Sequence, residues 1–166
     1  MTYNSVSTIP DLVQELANKL FAKKLIMATA ESCTGGWISE ALTSREGSSN
    51  WFDTGFVTYS DYAKQRLLEV PSSLFEHEGP GAVSEETVRA MANGAIRNSR
   101  ANIAVAVSGI AGPDGGSLEK PVGTVWIAWQ WEDKVLSRCF CFSGSREAVR
   151  LATVVAALEG TLTLLG

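Results

Sequence analysis

Leu12, Val13, Leu16 and Leu20 recur at helical spacing behind Pro10 and Asp11, which predicts an amphipathic helix opening at that pair. Leu25 to Ala30 is a short apolar run and reads as a buried strand. Trp37, Ile38, Ala41 and Leu42 restore the helical period, and Phe52 to Tyr59, rich in aromatic and β-branched residues, predicts a second strand. Ser60 then caps a helix carrying Leu67 and Leu68. Ser84, followed by Glu85 and Glu86, opens another with Val88, Met91, Ala92, Ala95 and Ile96 inward. Ile103 to Val107 is an uninterrupted apolar pentad, the pattern of a strand covered on both faces. Thr124 to Trp131 and Val135 to Phe142 are strand-like and separated only by Glu132, Asp133 and Lys134, which predicts an antiparallel hairpin. Ser145 caps a last helix with Val149, Ala152, Val155, Leu158 and Leu162 at helical spacing.

This alternation predicts an α/β fold: a three-layer α/β/α sandwich with a mixed, mostly parallel sheet and a C-terminal antiparallel hairpin. The 166 residues, 45% of them apolar, are read as a single domain over 1–166 with an ordinary core. A net charge of −4 without any Lys/Arg cluster leaves no electrostatic footprint for nucleic acid or an anionic membrane. Met1 to Pro10 is polar and lacks a leader pattern, and no uncharged apolar stretch reaches membrane-spanning length, so a cytoplasmic protein is expected.

The three cysteines, Cys33, Cys139 and Cys141, are an odd count without a Cys-x-x-Cys pair, and all three are expected as reduced packing residues. His77, the single histidine, lies between Glu76 and Glu78 in a Gly/Pro-rich stretch and reads as an exposed loop residue, too little for a zinc hydrolase site. No metal and no cofactor are expected. Trp129 and Trp131, two apart, point to core or a subunit interface.

The chemistry concentrates in loops that follow predicted strands, where open α/β sheets bind ligands. Thr29-Ala30-Glu31-Ser32-Cys33-Thr34-Gly35-Gly36 is a strand-to-helix turn filled with hydroxyls and glycines. It predicts an anion or oxyanion cradle at the helix start, with Ser32 beside it. Two roles are open to Ser32: nucleophile, or simple helix cap. With one histidine in the chain, the base a serine would need is sought among lysines. Lys64 lies about 6 Å along its helix from the Ser60 cap, and helical side chains lean back towards the N-terminus. It is either a base with a burial-lowered pKa or an exposed partner of Asp61. Tyr59 either links Lys64 and Ser32, or donates to a leaving group, or is a core tyrosine. The stretch from Ser108 to Gly116, with Gly109, Gly112, Gly115 and Gly116, suits close approach to phosphate or carboxylate, or is a plain turn. A metal-dependent phosphohydrolase would instead use Asp61, Asp114 and Glu31 with Mg²⁺.

Taken together, TAESCTGG at 29–36, GSSNWF at 47–52, GFVTYSDYAK at 55–64, GAVSEET at 81–87, VSGIAGPDGGSLEKPVGTVW at 107–126 and FSGSREAVR at 142–150 closely resemble the C-terminal domain of the competence/damage-inducible protein CinA, over about residues 10–165. Stand-alone members of that family are nicotinamide-nucleotide amidases. The resemblance implies hydrolysis of nicotinamide mononucleotide (NMN) to nicotinic acid mononucleotide and ammonia for NAD recycling, without cofactor. The catalytic positions would be Ser32, Tyr59 and Lys64. Backbone amides near Cys33 to Gly35 would hold the oxyanion, and Thr34, Gly35, Gly36, Ser108, Gly109, Gly112 and Arg146 would bind substrate. A homo-oligomer is also implied. The rival reading is a non-catalytic nucleotide- or phosphate-binding module. Two departures stand out: Gly144-Ser145-Arg146 where many relatives carry Gly-Asp-Arg, and a slightly longer segment at Glu78-Gly79-Pro80.

Overall fold

A computed structural model describes residues 7–166 in the order α1 (Ile9–Lys23), β1 (Met27–Glu31), α2 (Trp37–Thr43), β2 (Phe52–Val57), α3 (Asp61–Leu68), α4 (Glu85–Arg97), β3 (Ile103–Gly109), β4 (Thr124–Trp131), β5 (Lys134–Cys141) and α5 (Arg146–Leu165). The first six residues of the polar start lie outside the described residues. Hydroxyl caps begin four helices. Thr8 forms a reciprocal capping box with Asp11, while Ser60, Ser84 and Ser145 accept from Ala63, Thr87 and Ala148 amides. Ser145 thus serves α5 as its cap.

The sheet has the order β2-β1-β3-β4-β5. β1 pairs in parallel with both β2 and β3, whereas β3–β4 and β4–β5 are antiparallel. Parallel and antiparallel pairings are therefore equal in number, because only the crossovers through α2 and through α3 and α4 return the chain to its starting end. The β4–β5 turn is one residue tighter than the sequence suggests: Trp131 pairs with Lys134, and Glu132 takes the left-handed conformation at φ 53°.

Helices cover both faces. On one, α1, α2 and α5 pack on Met27, Ile103, Val105, Val107, Val125, Ile127 and Trp129. On the other, α4 with α3 packs on Ala28, Ala30, Ala104, Ala106 and Ala128, small residues that let α4 approach closely. The α3–α4 contact is closer still, for a Cβ on Gly94 would stand 1.9 Å from the Leu68 carbonyl oxygen. By length and composition α5 is apolar enough to cross a membrane, but its Val149, Val154, Ala157 and Leu158 belong to the core. Trp129 is buried there and donates its indole N–H to the Ala157 carbonyl at 2.8 Å, while Trp131 packs at the core's edge.

Cys139 and Cys141 correct the expectation of core packing: both are exposed, since β5 is an edge strand. His77 is exposed as expected.

Candidate active site

β1 ends at Glu31, and the chain turns through residues 32–36 before α2. The N-cap of α2 is Gly36, at φ 102°, a conformation that favours glycine and offers no side-chain cap. The Glu31 carboxylate does the capping instead. Fully buried, it accepts from the Ile38 and Ser39 amides at 2.8 and 2.9 Å and from the Thr34 and Ser39 hydroxyls, both at 2.7 Å. The anion cradle expected at the start of this helix is therefore already filled by the protein's own carboxylate, and Ser32 is released from any capping role.

Ser32 continues the β1 ladder, its amide donating to the Val107 carbonyl at 3.1 Å, and its side chain is 8% exposed. The Gly35 amide closes the turn onto the Ser32 carbonyl at 3.1 Å, so of the three amides expected to hold an oxyanion this one is spent. The Cys33 and Thr34 amides find no acceptor oxygen among the described residues.

Lys64 is 1% exposed, not a surface partner of Asp61. It lies on the inward face of α3 with Leu68. Its Nζ lies 3.0 Å from Ser32 Oγ, 2.8 Å from the Thr58 carbonyl oxygen and 3.2 Å from the Tyr59 carbonyl oxygen. Among the described residues no carboxylate comes within salt-bridge distance of it. Burial, only partly opposed by the Asp61 charge, holds its pKa below the ordinary lysine value.

Tyr59 is no core residue either. It is 63% exposed, and its phenol oxygen accepts from Arg146 at 3.1 Å. Its link to Lys64 runs through the main-chain carbonyl, so the phenol does not join Lys64 to Ser32 as the sequence suggested. Arg146 also donates to the Gly112 carbonyl at 2.8 Å, tying α5 to the glycine loop.

These groups line a cleft of about 270 Å³ at the carboxyl end of β1, β2 and β3, together with Cys33, Ser108, Gly109, Gly112 and Asp114. Ser108, Gly109, Gly112 and Arg146 are where the sequence expected them. Thr34, Gly35 and Gly36 are not: Thr34 is fully buried with its hydroxyl on Glu31, Gly35 faces Arg150, and Gly36 abuts Val57. A larger groove of about 380 Å³ lies between β5 and α5, lined by Trp129, Leu136 and Phe140, away from every group named above. Cys33 borders the cleft, but burial pushes its thiol up to about 11 and keeps it a weak nucleophile near neutral pH. Among the described residues no three acidic, His or Cys side chains group as metal ligands, and Glu31, Asp61 and Asp114 do not converge.

The CinA C-terminal domain family matches residues 10–165. This chain belongs to that family. It is 54% identical to the nicotinamide-nucleotide amidohydrolase PncC of Pseudomonas putida over 156 residues, covering 94% of this chain and 96% of the relative. It is 48% identical to the protein of the same name from Escherichia coli K12 over 155 residues, 92% of each. The crystal structure of the competence/damage-inducible protein CihA from Agrobacterium tumefaciens superposes with a TM-score of 0.91 at 44% identity, covering 98% of this chain and 99% of that one.

Two residues that shape this CinA C-terminal domain's cleft escaped the sequence reading. The sequence offers Glu31 only as a metal ligand, although a lone acid closing an apolar strand before a hydroxyl-rich turn signals a buried acceptor. Arg150 lies one helical turn beyond Arg146, and its sequence position alone suggests no role. It donates to the Cys33 carbonyl at 3.1 Å and the Thr34 carbonyl at 3.0 Å, and its guanidinium lies 5.4 Å from the Trp37 ring centre.

Proposed function

We propose that this protein is a nicotinamide-nucleotide amidohydrolase that converts NMN to nicotinic acid mononucleotide and ammonia, with Ser32 as nucleophile and Lys64 as base. The names of relatives identical at about half of all positions support the substrate. One observation carries the mechanism: a buried Lys64 amine placed 3.0 Å from Ser32 Oγ and within reach of two main-chain carbonyls. A neutral amine has two N–H groups and one lone pair. Two N–H groups satisfy the Thr58 and Tyr59 carbonyls, which aims the lone pair at the Ser32 hydroxyl proton.

In the proposed sequence Lys64 takes that proton as Ser32 Oγ attacks the carboxamide carbon. The resulting oxyanion is held by the Cys33 amide. The C–N bond then breaks, and Lys64 returns the proton to the departing ammonia, with the Tyr59 phenol as a second donor at the rim. Water, deprotonated by Lys64, hydrolyses the ester on Ser32 and restores the hydroxyl. Ser108, Gly109, Gly112 and Arg146 bind the nucleotide portion, Arg146 matching a phosphate in charge and geometry. No step calls for a metal or a cofactor. The enzyme is read as a cytoplasmic homo-oligomer acting on a small molecule, with no nucleic acid or membrane partner.

Ammonia release from NMN, nicotinamide and nicotinamide riboside tests the proposal. NMN is expected as the preferred substrate, and Ser32→Ala or Lys64→Ala is expected to lower its turnover by roughly 10³-fold or more. Wild-type rates in either variant, or saturable NMN binding without turnover by the unmodified protein, overturn it. The second outcome would establish the nucleotide-binding module instead.

A further inference from the structure

The Ser32 turn is gripped from two sides. Glu31 holds the Thr34 hydroxyl and the first amides of α2, whereas Arg150 reaches across from α5 and donates to the carbonyls of Cys33 and Thr34. In a trans peptide the C=O and the following N–H point in opposite directions. Drawing the Thr34 carbonyl towards α5 therefore turns the Gly35 N–H back into the turn, where it donates to the Ser32 carbonyl. The Ser32–Cys33 peptide is fixed by that bond, which leaves the Cys33 N–H pointing out of the turn.

We propose that Arg150 is a positioning residue: by clamping the Cys33 and Thr34 carbonyls it holds the peptides of the Ser32 turn in the orientation that presents the Cys33 amide to the oxyanion. Its planar fork suits the task, since one guanidinium serves two successive carbonyls while its face rests on Trp37. A lysine has a single nitrogen and cannot reproduce that fork. Without the clamp the Ser32–Cys33 peptide is held by the Gly35 amide alone, and its rotation brings a carbonyl oxygen where an N–H is needed. The role rests on the amidase reading above, because it presupposes an oxyanion formed beside Ser32.

The test compares wild type, Arg150→Lys and Arg150→Met in NMN turnover, and in binding of two probes. One is the NMN analogue with a pyridine-3-carbaldehyde base. Ser32 Oγ adds to its carbonyl carbon, the C=O π bond opens, and the serine proton ends on the new hemiacetal oxygen, which occupies the oxyanion position. The other is nicotinic acid mononucleotide, which forms no such bond. Both variants are expected to lose roughly 10- to 100-fold in kcat with KM within about threefold of wild type, less than deleting an oxyanion donor outright. Aldehyde affinity should fall in proportion, with nicotinic acid mononucleotide binding retained. Undiminished kcat, or aldehyde and acid weakened equally alongside a lowered melting temperature, overturns the positioning role. Absence of NMN turnover in wild type overturns the amidase reading itself, and this inference with it.

Discussion

Lys64 Nζ meets Ser32 Oγ at 3.0 Å although the two residues are 32 positions apart, and the parallel register of β1 and β2 is what unites them. The ladder continues one step past β2, the Thr58 amide donating to the Glu31 carbonyl at 2.9 Å, so the loops that follow lie side by side. α3 then projects Lys64 back from its first turns onto that junction.

The lowered Lys64 pKa fixes the pH dependence. Turnover of NMN should rise with pH and level off at a value below the usual 10.5 of lysine, because Lys64, in the proposed role of base, works only when neutral. A kcat profile checks this, and a rising limb centred at 10.5 or above would contradict it. Stability carries the same signature. Since the folded pKa is depressed, the unfolded chain binds more protons between that value and 10.5, and stability rises with pH across this window. Below it the full cost of charging a buried amine is present. Urea unfolding at a series of pH values should show this slope in wild type and not in Lys64→Met.

Glu31→Gln replaces one of two acceptor oxygens by a donor facing groups that already donate. Four of the hydrogen bonds to the carboxylate are between 2.7 and 2.9 Å in a buried setting, and the Thr29 hydroxyl adds a longer one at 3.5 Å. The substitution should cost about 2–4 kcal/mol of unfolding free energy and reduce turnover by disordering the Ser32 turn. Denaturant titration checks the first, ammonia release the second.

The thiols should separate cleanly. Native protein treated with iodoacetamide near pH 8 is expected to alkylate at the exposed Cys139 and Cys141, while Cys33, buried and with its thiol pushed up to about 11, reacts only after unfolding. Peptide mass spectrometry distinguishes the sites.

Gly94→Ala tests the packing that sets the depth of α3. Its Cβ would fall 1.9 Å from the Leu68 carbonyl oxygen, and backbone cannot yield as a flexible side chain would. A loss of about 1–3 kcal/mol is expected. Because Leu68 and Lys64 share α3, turnover should fall as well, readable in parallel melting and ammonia assays.

The positions of Ser32, Tyr59 and Lys64 were legible from the motifs at 29–36 and 55–64, but the residues alone favoured blander roles for each. What removed those roles was nonlocal. Gly36 and Glu31 cap α2 in place of Ser32; α3 lies deep enough against α4 to bury Lys64; and Arg146, from the far end of the chain, holds the Tyr59 phenol at the rim. Conversely, Thr34 looked like a ligand contact and is a buried partner of Glu31.

The chain's own pattern determined its elements: alternating apolar runs and helical periods, with Ser60, Ser84 and Ser145 at helix starts, are local preferences that each segment expresses by itself. Only the tertiary structure decided which face each element covers and which groups lose water. Period two placed Cys139 and Cys141 on one side of a strand, but only the strand order made that strand an edge and left them exposed. Likewise the sequence supplies a lysine, whereas its removal from solvent depends on contacts between α3, α4 and the two parallel strands. A depressed pKa is a property of that enclosure.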